Sequence, residues 1–332
     1  MRFLPEHGGD LNEATRRFGE PEGGWLDLST GINPVPYPVP EVPSTIWHRL
    51  PEEEDGLLET AAAYYGTREL AAVPGSQAAI AALPYLRRHC RVAVLWPTYA
   101  EHAYRWERAG HQVERISADQ LEAASGEADV VVLAQPNNPD GRRFTPEQLR
   151  HWRRRLARRE GWLIVDEAFA DTQPGASLVD EAGEPGLVVL RSLGKFFGLA
   201  GARLGFVASH RSIRAGLAEE LGPWAVSGPA RMAGRRALAD AEWQDQARRT
   251  LAESAQRLEG LLRWGGLDPS GGTELFRWVV IDGVEAWQQA LARQGVWVRR
   301  FDRLSGLRFG LPGQETDWQR LEAALGAVDA SS

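Results

Sequence analysis

Short apolar, β-branched segments recur along the chain and alternate with longer amphipathic segments. The apolar segments lie at 92–96, 130–134, 162–165, 187–190 and 204–208. Each is almost continuously apolar, which is typical of strands that helices cover on both faces. Helical periodicity predicts helices at 76–88, 100–109, 146–159 and 239–264. This alternation predicts an α/β fold with a mainly parallel central sheet flanked by helices.

The pattern changes after about residue 210. Glycine-rich turns precede three short predicted strands at 274–281, 296–300 and 307–310, with helices near 286–293 and 316–325. The first forty-odd residues are rich in glycine and proline, which predicts an irregular arm. We expect three parts: an N-terminal arm (1–44) that belongs to the small domain and the active site, a large domain (45–212), and a linking helix with a small α+β domain (213–332).

Length and composition limit the class of protein. The 332 residues suffice for about two domains, and 43% hydrophobic with 25% charged residues is ordinary for a globular chain. The N-terminal segment has no apolar run typical of a signal peptide, and no later run suggests a membrane span. The single cysteine, Cys90, cannot form an intramolecular disulfide. We therefore expect a cytoplasmic protein.

Charge and histidine spacing argue against two classes of partner. The 38 Lys plus Arg are outnumbered by 45 Asp plus Glu, whereas nucleic-acid binding needs a basic face. Six arginines within 150–159 follow a helix start signal at Thr145-Pro146, and we interpret them as a solvated helix face. The seven histidines show no metal-ligand spacing. We expect neither nucleic acid, nor a membrane, nor a metal as partner.

Polar residues follow several predicted strands at the point where each strand ends. In a parallel sheet these ends share one edge, where ligands bind. Asn138 stands in a rigid turn after 130–134, and Asp166 follows 162–165 directly. A buried aspartate needs a cationic or hydrogen-bonding partner. Lys195 lies among aromatic residues beyond 187–190, and poor solvation would lower its pKa and leave a neutral amine for Schiff-base chemistry.

A glycine-containing turn, Gly75-Ser76-Gln77, precedes the helix predicted at 76–88. Glycine permits close backbone approach, and the N–H groups of a first helical turn can bind an anion. Taken alone, this turn could equally be an ordinary helix start. Together with Asn138, Asp166 and Lys195, it completes the groups that a pyridoxal phosphate site requires.

Over almost its whole length the chain resembles the fold-type I family of pyridoxal-phosphate enzymes. The resemblance implies that Lys195 bonds to the cofactor aldehyde and that Asp166 pairs with the ring nitrogen, which makes the ring an electron sink. It implies that Asn138 bonds the ring's O3′ and that Tyr99 stacks on the ring. The residues implied to hold the cofactor phosphate are Gly75, Ser76, Gln77, Ser192 and Arg203. The family resemblance also implies a homodimer.

Two subfamilies are most similar: histidinol-phosphate aminotransferases and the L-threonine-O-3-phosphate decarboxylases of cobalamin (vitamin B12) biosynthesis. The segments 7–10 (HGGD) and 29–34 (STGINP) resemble the decarboxylase pattern. Phe169 stands where aminotransferases of this type carry a tyrosine that bonds O3′. The resemblance therefore favours decarboxylation of L-threonine O-3-phosphate to (R)-1-amino-2-propanol O-2-phosphate, with a histidinol-phosphate-type transamination as the alternative.

Two arginines of the predicted small domain match family positions for the substrate. The resemblance implies that Arg308 binds the substrate α-carboxylate through a bidentate pair. It implies that Arg299 binds the substrate phosphate, and the further candidate substrate-binding residues are His7, Gly8 and Asn33.

One position departs from the family pattern. Leu50 occupies the place of a tyrosine that, in the aminotransferases, reaches the cofactor phosphate of the neighbouring subunit. Whether His48 or Arg49 replaces that contact stays open.

Two other classes of function were considered. The segment 192–195 (SLGK) fits the S-x-x-K motif of penicillin-recognising enzymes, but the sequence contains neither the Lys-Thr-Gly nor the Ser-Asp-Asn motif that those enzymes need. A regulator built on a pyridoxal-phosphate fold would carry an additional N-terminal DNA-binding domain, whereas the enzyme-like pattern begins at once. We therefore expect an enzyme.

Overall fold

The computed structural model describes residues 7–329, which form two compact units. Within these residues, the larger unit comprises Tyr37–Asn138 and Arg142–Asp245, and the smaller comprises 7–36, Pro139–Gly141 and 246–329. The first six residues of the predicted arm lie outside the described residues. The domain boundaries expected at 44/45 and 212/213 stay predictions.

Strands and helices alternate through most of the described chain. The strands are β1 (Leu26–Leu28), β2 (Leu70–Val73), β3 (Arg91–Leu95), β4 (Gln112–Ile116), β5 (Val130–Ala134), β6 (Trp162–Asp166), β7 (Leu187–Ser192), β8 (Gly205–Ser209), β9 (Pro269–Thr273), β10 (Phe276–Val280), β11 (Val296–Phe301) and β12 (Gly306–Gly310). The helices are α1 (Leu11–Phe18), α2 (Ser44–His48), α3 (Leu57–Tyr65), α4 (Ser76–Ala82), α5 (Glu101–Arg108), α6 (Leu121–Glu127), α7 (Pro146–Ala157), α8 (Arg211–Leu221), α9 (Gly228–Ala239), α10 (Ala241–Trp264), α11 (Val284–Arg293) and α12 (Glu315–Asp329).

A seven-stranded sheet forms the centre of the larger unit, in the order β2-β8-β7-β6-β5-β3-β4. The strands from β7 to β4 pair in parallel, whereas β8 is antiparallel to both of its neighbours. Every residue of β5, β7 and β8 is buried, because helices cover both faces. The predicted α/β fold with a mainly parallel sheet is confirmed.

Two strands of this sheet were not predicted, because β4 is not continuously apolar and β2 has only four residues. The edge strand β4 (QVERI) is mostly exposed, and β2 (LAAV) is short. Their positions at the two ends of the sheet explain both features, since an edge strand needs less apolar surface.

The arginine-rich helix α7 differs in part from the solvated face that was expected. Thr145 and Gln148 form the predicted capping box at its start. Arg153, however, is buried, pairs with Glu184 at 3.1 Å and donates to the carbonyl oxygen of Pro185. The guanidinium is bonded within the protein because the segment that leads into β7 folds over this side of the helix.

A five-stranded sheet forms the centre of the smaller unit, in the order β1-β11-β12-β10-β9. The N-terminal segment contributes β1, which pairs in parallel with β11. It also forms α1, whose start is capped by the Asp10 side chain and whose Ala14 packs against Ala292 and Trp297. The expectation of an irregular arm was therefore wrong for 11–18 and 26–28, because a cap and a few buried side chains suffice to order these short elements.

The loop after Asn138 is held by a close backbone approach within the smaller unit. A Cβ atom on Gly141 would lie 2.0 Å from the carbonyl oxygen of Gly272, and both glycines have positive φ. No other residue fits without displacing backbone. The glycine pair fixes the path of the backbone three residues after Asn138, a candidate site residue.

No helix within residues 7–329 combines the length and the hydropathy that crossing a membrane would require.

Candidate active site

A cavity of about 150 Å³ lies in the larger unit where β5, β6 and β7 end. Ala134, Asp166 and Ser192, the last residues of these strands, all line it. The cavity therefore occupies the edge of the sheet at which ligands were expected. Eight of the nine predicted cofactor residues line it: Ser76, Gln77, Tyr99, Asn138, Asp166, Ser192, Lys195 and Arg203.

Asp166 is buried, and both of its carboxylate oxygens have hydrogen-bond partners. Its Oδ2 lies 2.9 Å from Nε2 of His102, and its Oδ1 accepts from the backbone N–H of Ala168 at 3.1 Å. An ionised carboxylate only accepts, so Nε2 of His102 carries the hydrogen in this pair. These two bonds fix the orientation of the Asp166 carboxylate, which lines the cavity.

Lys195 is half-buried, and its Nζ lies 5.3 Å from the ring centroid of Phe169. Phe196 and Phe197, which follow it in sequence, are fully buried; Phe197 stacks on Trp243, and Phe196 contacts the same ring edge-on. This aromatic packing anchors the lysine loop. Lys195 is also the single lysine of the sequence, so it supplies the only side-chain amine.

The protein groups that could bind a phosphate lie together around the start of α4. Gly75 has φ +75°, a left-handed conformation that favours glycine, and a Cβ atom on it would lie 2.7 Å from Nη2 of Arg203. Arg203 itself has a left-handed backbone (φ 52°) and donates to the carbonyl oxygen of Ala200. Ser76 and Ser192 line the same cavity. Two hydroxyl groups and one guanidinium can bind a phosphate here.

Tyr99 is the aromatic residue expected to stack on a ligand ring, and its hydroxyl donates to Oε1 of Gln77 at 3.0 Å. Burial, with Glu101 and Asp166 nearby, raises the pKa of Tyr99, so its hydroxyl stays protonated. The side chain of Gln77 also donates from Nε2 to Glu101 at 2.6 Å. Its predicted role toward phosphate stays a prediction.

The loop that bears Asn138 is tied to the loop that bears Tyr99. Asn137 is fully buried, donates from Nδ2 to the carbonyl oxygen of Pro97 and accepts the hydroxyl of Thr98 at 2.7 Å. These bonds fix the spacing of the two cavity walls that Asn138 and Tyr99 line.

The predicted substrate residues form a second group, in the smaller unit. Arg299 on β11 and Arg308 on β12 are direct cross-strand partners, so their side chains share one face. Burial and the facing Arg299 guanidinium lower the pKa of Arg308 to about 9. Two facing cations are costly by themselves, and a bound anion would relieve their repulsion.

The other predicted substrate residues also lie in the smaller unit. Arg299 donates to the carbonyl oxygen of His7, and Arg308 donates to that of Ser29 at 2.7 Å. A Cβ atom on Gly8 would lie 2.3 Å from the Ser29 oxygen. Asn33 is buried, and its side chain accepts from the backbone N–H of Val35. The structure thus gathers His7 and Gly8 at the arginine pair, whereas Asn33 caps a turn.

Two residues that hold the cavity-lining side chains in place were not predicted from the sequence. His102 was considered only as a metal ligand, yet it bonds Asp166, and Glu101 bonds Gln77. Their position could have indicated them, since both lie within three residues of Tyr99, on the first turn of α5.

The donor set fits pyridoxal phosphate. A single amine, a buried carboxylate and a phosphate cradle surround one cavity, and a tyrosine lines its wall. The sequence profile of the family described as Aminotransferase class I and II matches residues 50–325. The chain belongs to this family.

Close relatives are found among curated proteins. The chain is 51% identical to the threonine-phosphate decarboxylase of Pseudomonas aeruginosa over 320 residues, which is 96% of this chain and 97% of that protein. It is 41% identical to the threonine-phosphate decarboxylase of a Sinorhizobium species over 336 residues, with 97% and 98% covered.

A solved structure shows the same fold. The histidinol-phosphate aminotransferase of Sinorhizobium meliloti, solved in complex with pyridoxal-5′-phosphate, superposes with a TM-score of 0.83 at 21% identity. The match covers 96% of this chain and 94% of that one.

Proposed function

We propose that this chain is a pyridoxal-phosphate-dependent carboxy-lyase that converts L-threonine O-3-phosphate to (R)-1-amino-2-propanol O-2-phosphate, the reaction of cobalamin biosynthesis. The observation that carries the proposal is the cavity that brings the single lysine, Lys195, together with the buried Asp166. The names of the relatives at 51% and 41% identity over nearly the whole chain support the choice of reaction.

The cavity residues divide the work of holding the cofactor. When bound, pyridoxal phosphate supplies an electron-accepting ring for the electrons of a breaking Cα bond. Asp166 would hold a proton at the ring nitrogen, and the hydrogen bond from His102 orients this carboxylate. Ser76, Ser192 and Arg203 hold the phosphate, and Asn138 donates to O3′.

Lys195 has two tasks in this proposal. Its Nζ would bond to the cofactor aldehyde, and in its protonated ammonium form the same group would donate a proton to the substrate Cα. The neighbouring side chain is Phe169, whose ring offers no hydroxyl to compete for this amine or for O3′.

The arginine pair accounts for the class of substrate. L-threonine O-3-phosphate carries a carboxylate and a phosphate, and we propose that Arg308 binds the first and Arg299 the second. An anion bound at this pair would oppose the effect of burial and of Arg299, and would raise the lowered pKa of Arg308.

Product analysis tests the proposed reaction. Purified protein with pyridoxal phosphate and L-threonine O-3-phosphate should release CO₂ and aminopropanol phosphate in equal amounts. The Arg308→Gln variant should keep the cofactor absorbance but show a KM at least about tenfold higher, the expected loss for a charge-assisted bond. A keto acid with pyridoxamine phosphate, or turnover of histidinol phosphate with 2-oxoglutarate, would instead identify an aminotransferase.

We also propose a homodimer. Three large apolar side chains are exposed: Trp47 (68%), Leu50 (62%) and Trp224 (54%). Ile46, which precedes Trp47, packs against Gly228, four residues after Trp224, so the two segments that bear these side chains are neighbours. Large exposed apolar side chains of this kind mark interfaces. Light scattering after size exclusion should give twice the chain mass, and Leu50→Glu should shift the protein toward the monomer. A monomeric wild type would contradict the proposal.

A further inference from the structure

A chain of four hydrogen-bonded side chains connects the partly exposed side of α5 to the cavity. Nε of Arg105 donates to Oε2 of Glu101 at 2.8 Å, and the same oxygen accepts from Nε2 of Gln77 at 2.6 Å. Oε1 of Gln77 accepts from the Tyr99 hydroxyl at 3.0 Å. Glu101 is only 4% exposed, although the proposed mechanism does not use it.

The direction of every bond in this chain follows from its charged end. A guanidinium only donates, and an ionised carboxylate only accepts. Glu101 therefore faces the amide nitrogen of Gln77, not its oxygen. The amide oxygen must then point the other way, toward the tyrosine hydroxyl, which stays protonated and donates.

We propose that Glu101 is a positioning residue that sets the orientation of the Tyr99 ring in the cavity, acting through the Gln77 amide. If the Glu101 carboxylate is removed, the Gln77 side-chain amide can rotate by half a turn and present its N–H groups to the Tyr99 hydroxyl. Tyr99 then loses the partner that fixes its ring. This inference rests on the proposed function, because Tyr99 faces a cofactor ring only if the cavity binds one.

The ion pair between Arg105 and Glu101 makes the buried Glu101 carboxylate compatible with a nearby phosphate site. Gln77 follows Ser76, a proposed phosphate ligand, so an uncompensated charge on Glu101 would repel the cofactor phosphate. The bond from Arg105 places a positive charge against that carboxylate. The two groups together act as a neutral acceptor for Gln77.

The test compares two substitutions of Glu101 by affinity for pyridoxal phosphate and by visible circular dichroism of the bound cofactor. Glu101→Met removes the acceptor and should weaken affinity about tenfold and reduce the dichroic band. Glu101→Gln keeps one oxygen that can accept both bonds and should stay within about threefold of wild type. A packing role alone would leave Met as good as Gln.

Two further variants link the effect to Tyr99. Tyr99→Phe removes the hydroxyl, and in that background Glu101→Met should have no further effect on affinity, which a double-mutant cycle measures. Gln77→Met interrupts the hydrogen-bonded chain but leaves Glu101 in place, and it should lower the affinity as much as Glu101→Met does. It therefore still tests the proposal if Glu101→Met folds poorly. The control is Glu107→Gln on α5, which removes an exposed ion pair with Arg115 of β4 and should match wild type.

The outcomes separate the two proposals. If wild type binds no pyridoxal phosphate, the proposed function fails. If wild type binds it and decarboxylates, but Glu101→Met equals wild type or adds independently to Tyr99→Phe, the function stands and the role of Glu101 is refuted.

Discussion

Replacing Lys195 by alanine should abolish decarboxylation, with the rate falling by roughly 10⁴-fold or more, because this amine both binds the cofactor and moves the proton. Since the sequence contains one lysine, no other side chain can supply an amine in its place. The rate is measured as CO₂ release from L-threonine O-3-phosphate. Lys195 is only half-buried, so thermal unfolding of the variant should stay close to that of wild type.

Borohydride labelling gives the same prediction a readout that does not depend on turnover. In wild type, reduction with bound pyridoxal phosphate should attach the cofactor to the peptide that contains residue 195, and the yellow colour should be bleached. The alanine variant should carry no label there, while added methylamine should restore part of its rate. Undiminished turnover of the alanine variant would contradict the assigned role.

Replacing Arg191 by methionine should cost about 3–5 kcal/mol in the free energy of unfolding, since it leaves two buried carboxylates without their cation. Arg191 is 2% exposed and bonds Glu167 at 2.6 Å and Asp171 at 2.5 Å, both fully buried. For a unit of this size, the loss corresponds to a fall in Tm of roughly 6–20 °C. Calorimetry or circular dichroism measures it.

The control is Arg115→Met, which removes an exposed pair with Glu107 and should cost less than about 1 kcal/mol. If the large cost arises from charge, adding Glu167→Gln and Asp171→Asn to Arg191→Met should recover part of the stability. Equal melting temperatures for the Arg191 and Arg115 variants would show that the buried network contributes little.

The cost of the Arg191 substitution should also depend on pH. Burial raises the pKa of Glu167 even in wild type, where Arg191 opposes the shift. Without Arg191 the folded-state pKa rises further above the unfolded value. A carboxyl group with a raised folded pKa stabilises the fold at low pH, and this contribution is lost as pH rises through that pKa. The difference from wild type should therefore be smaller at pH 5 than at pH 8.

The central strands and the cavity-bearing edge were predictable because burial on both faces imposes a local pattern. Continuous apolar runs identified β3, β5, β6, β7 and β8. Parallel strands end at one edge of the sheet, so residues after separate runs were expected at one place. β4, β2 and α1 were not predicted, because an exposed edge strand, a strand of four residues and a short capped helix leave weaker patterns than a core strand.

The partners of the site residues could not be predicted in the same way. His102 bonds Asp166 across 64 positions, and Glu101 bonds Gln77 across 24. Such pairs have no spacing rule, since they depend on which helix crosses which strand end.

The sequence by itself determined which chemical groups the protein possesses and which edge of the sheet bears them, because helix and strand periodicity act over a few neighbouring residues. Only the tertiary structure decided how those groups are held. It places His102 against Asp166, the Gln77 amide against Tyr99, and Arg299 opposite Arg308. Hydrogen bonds and charges act over a few ångströms in space, and that distance is set by the packing of remote segments.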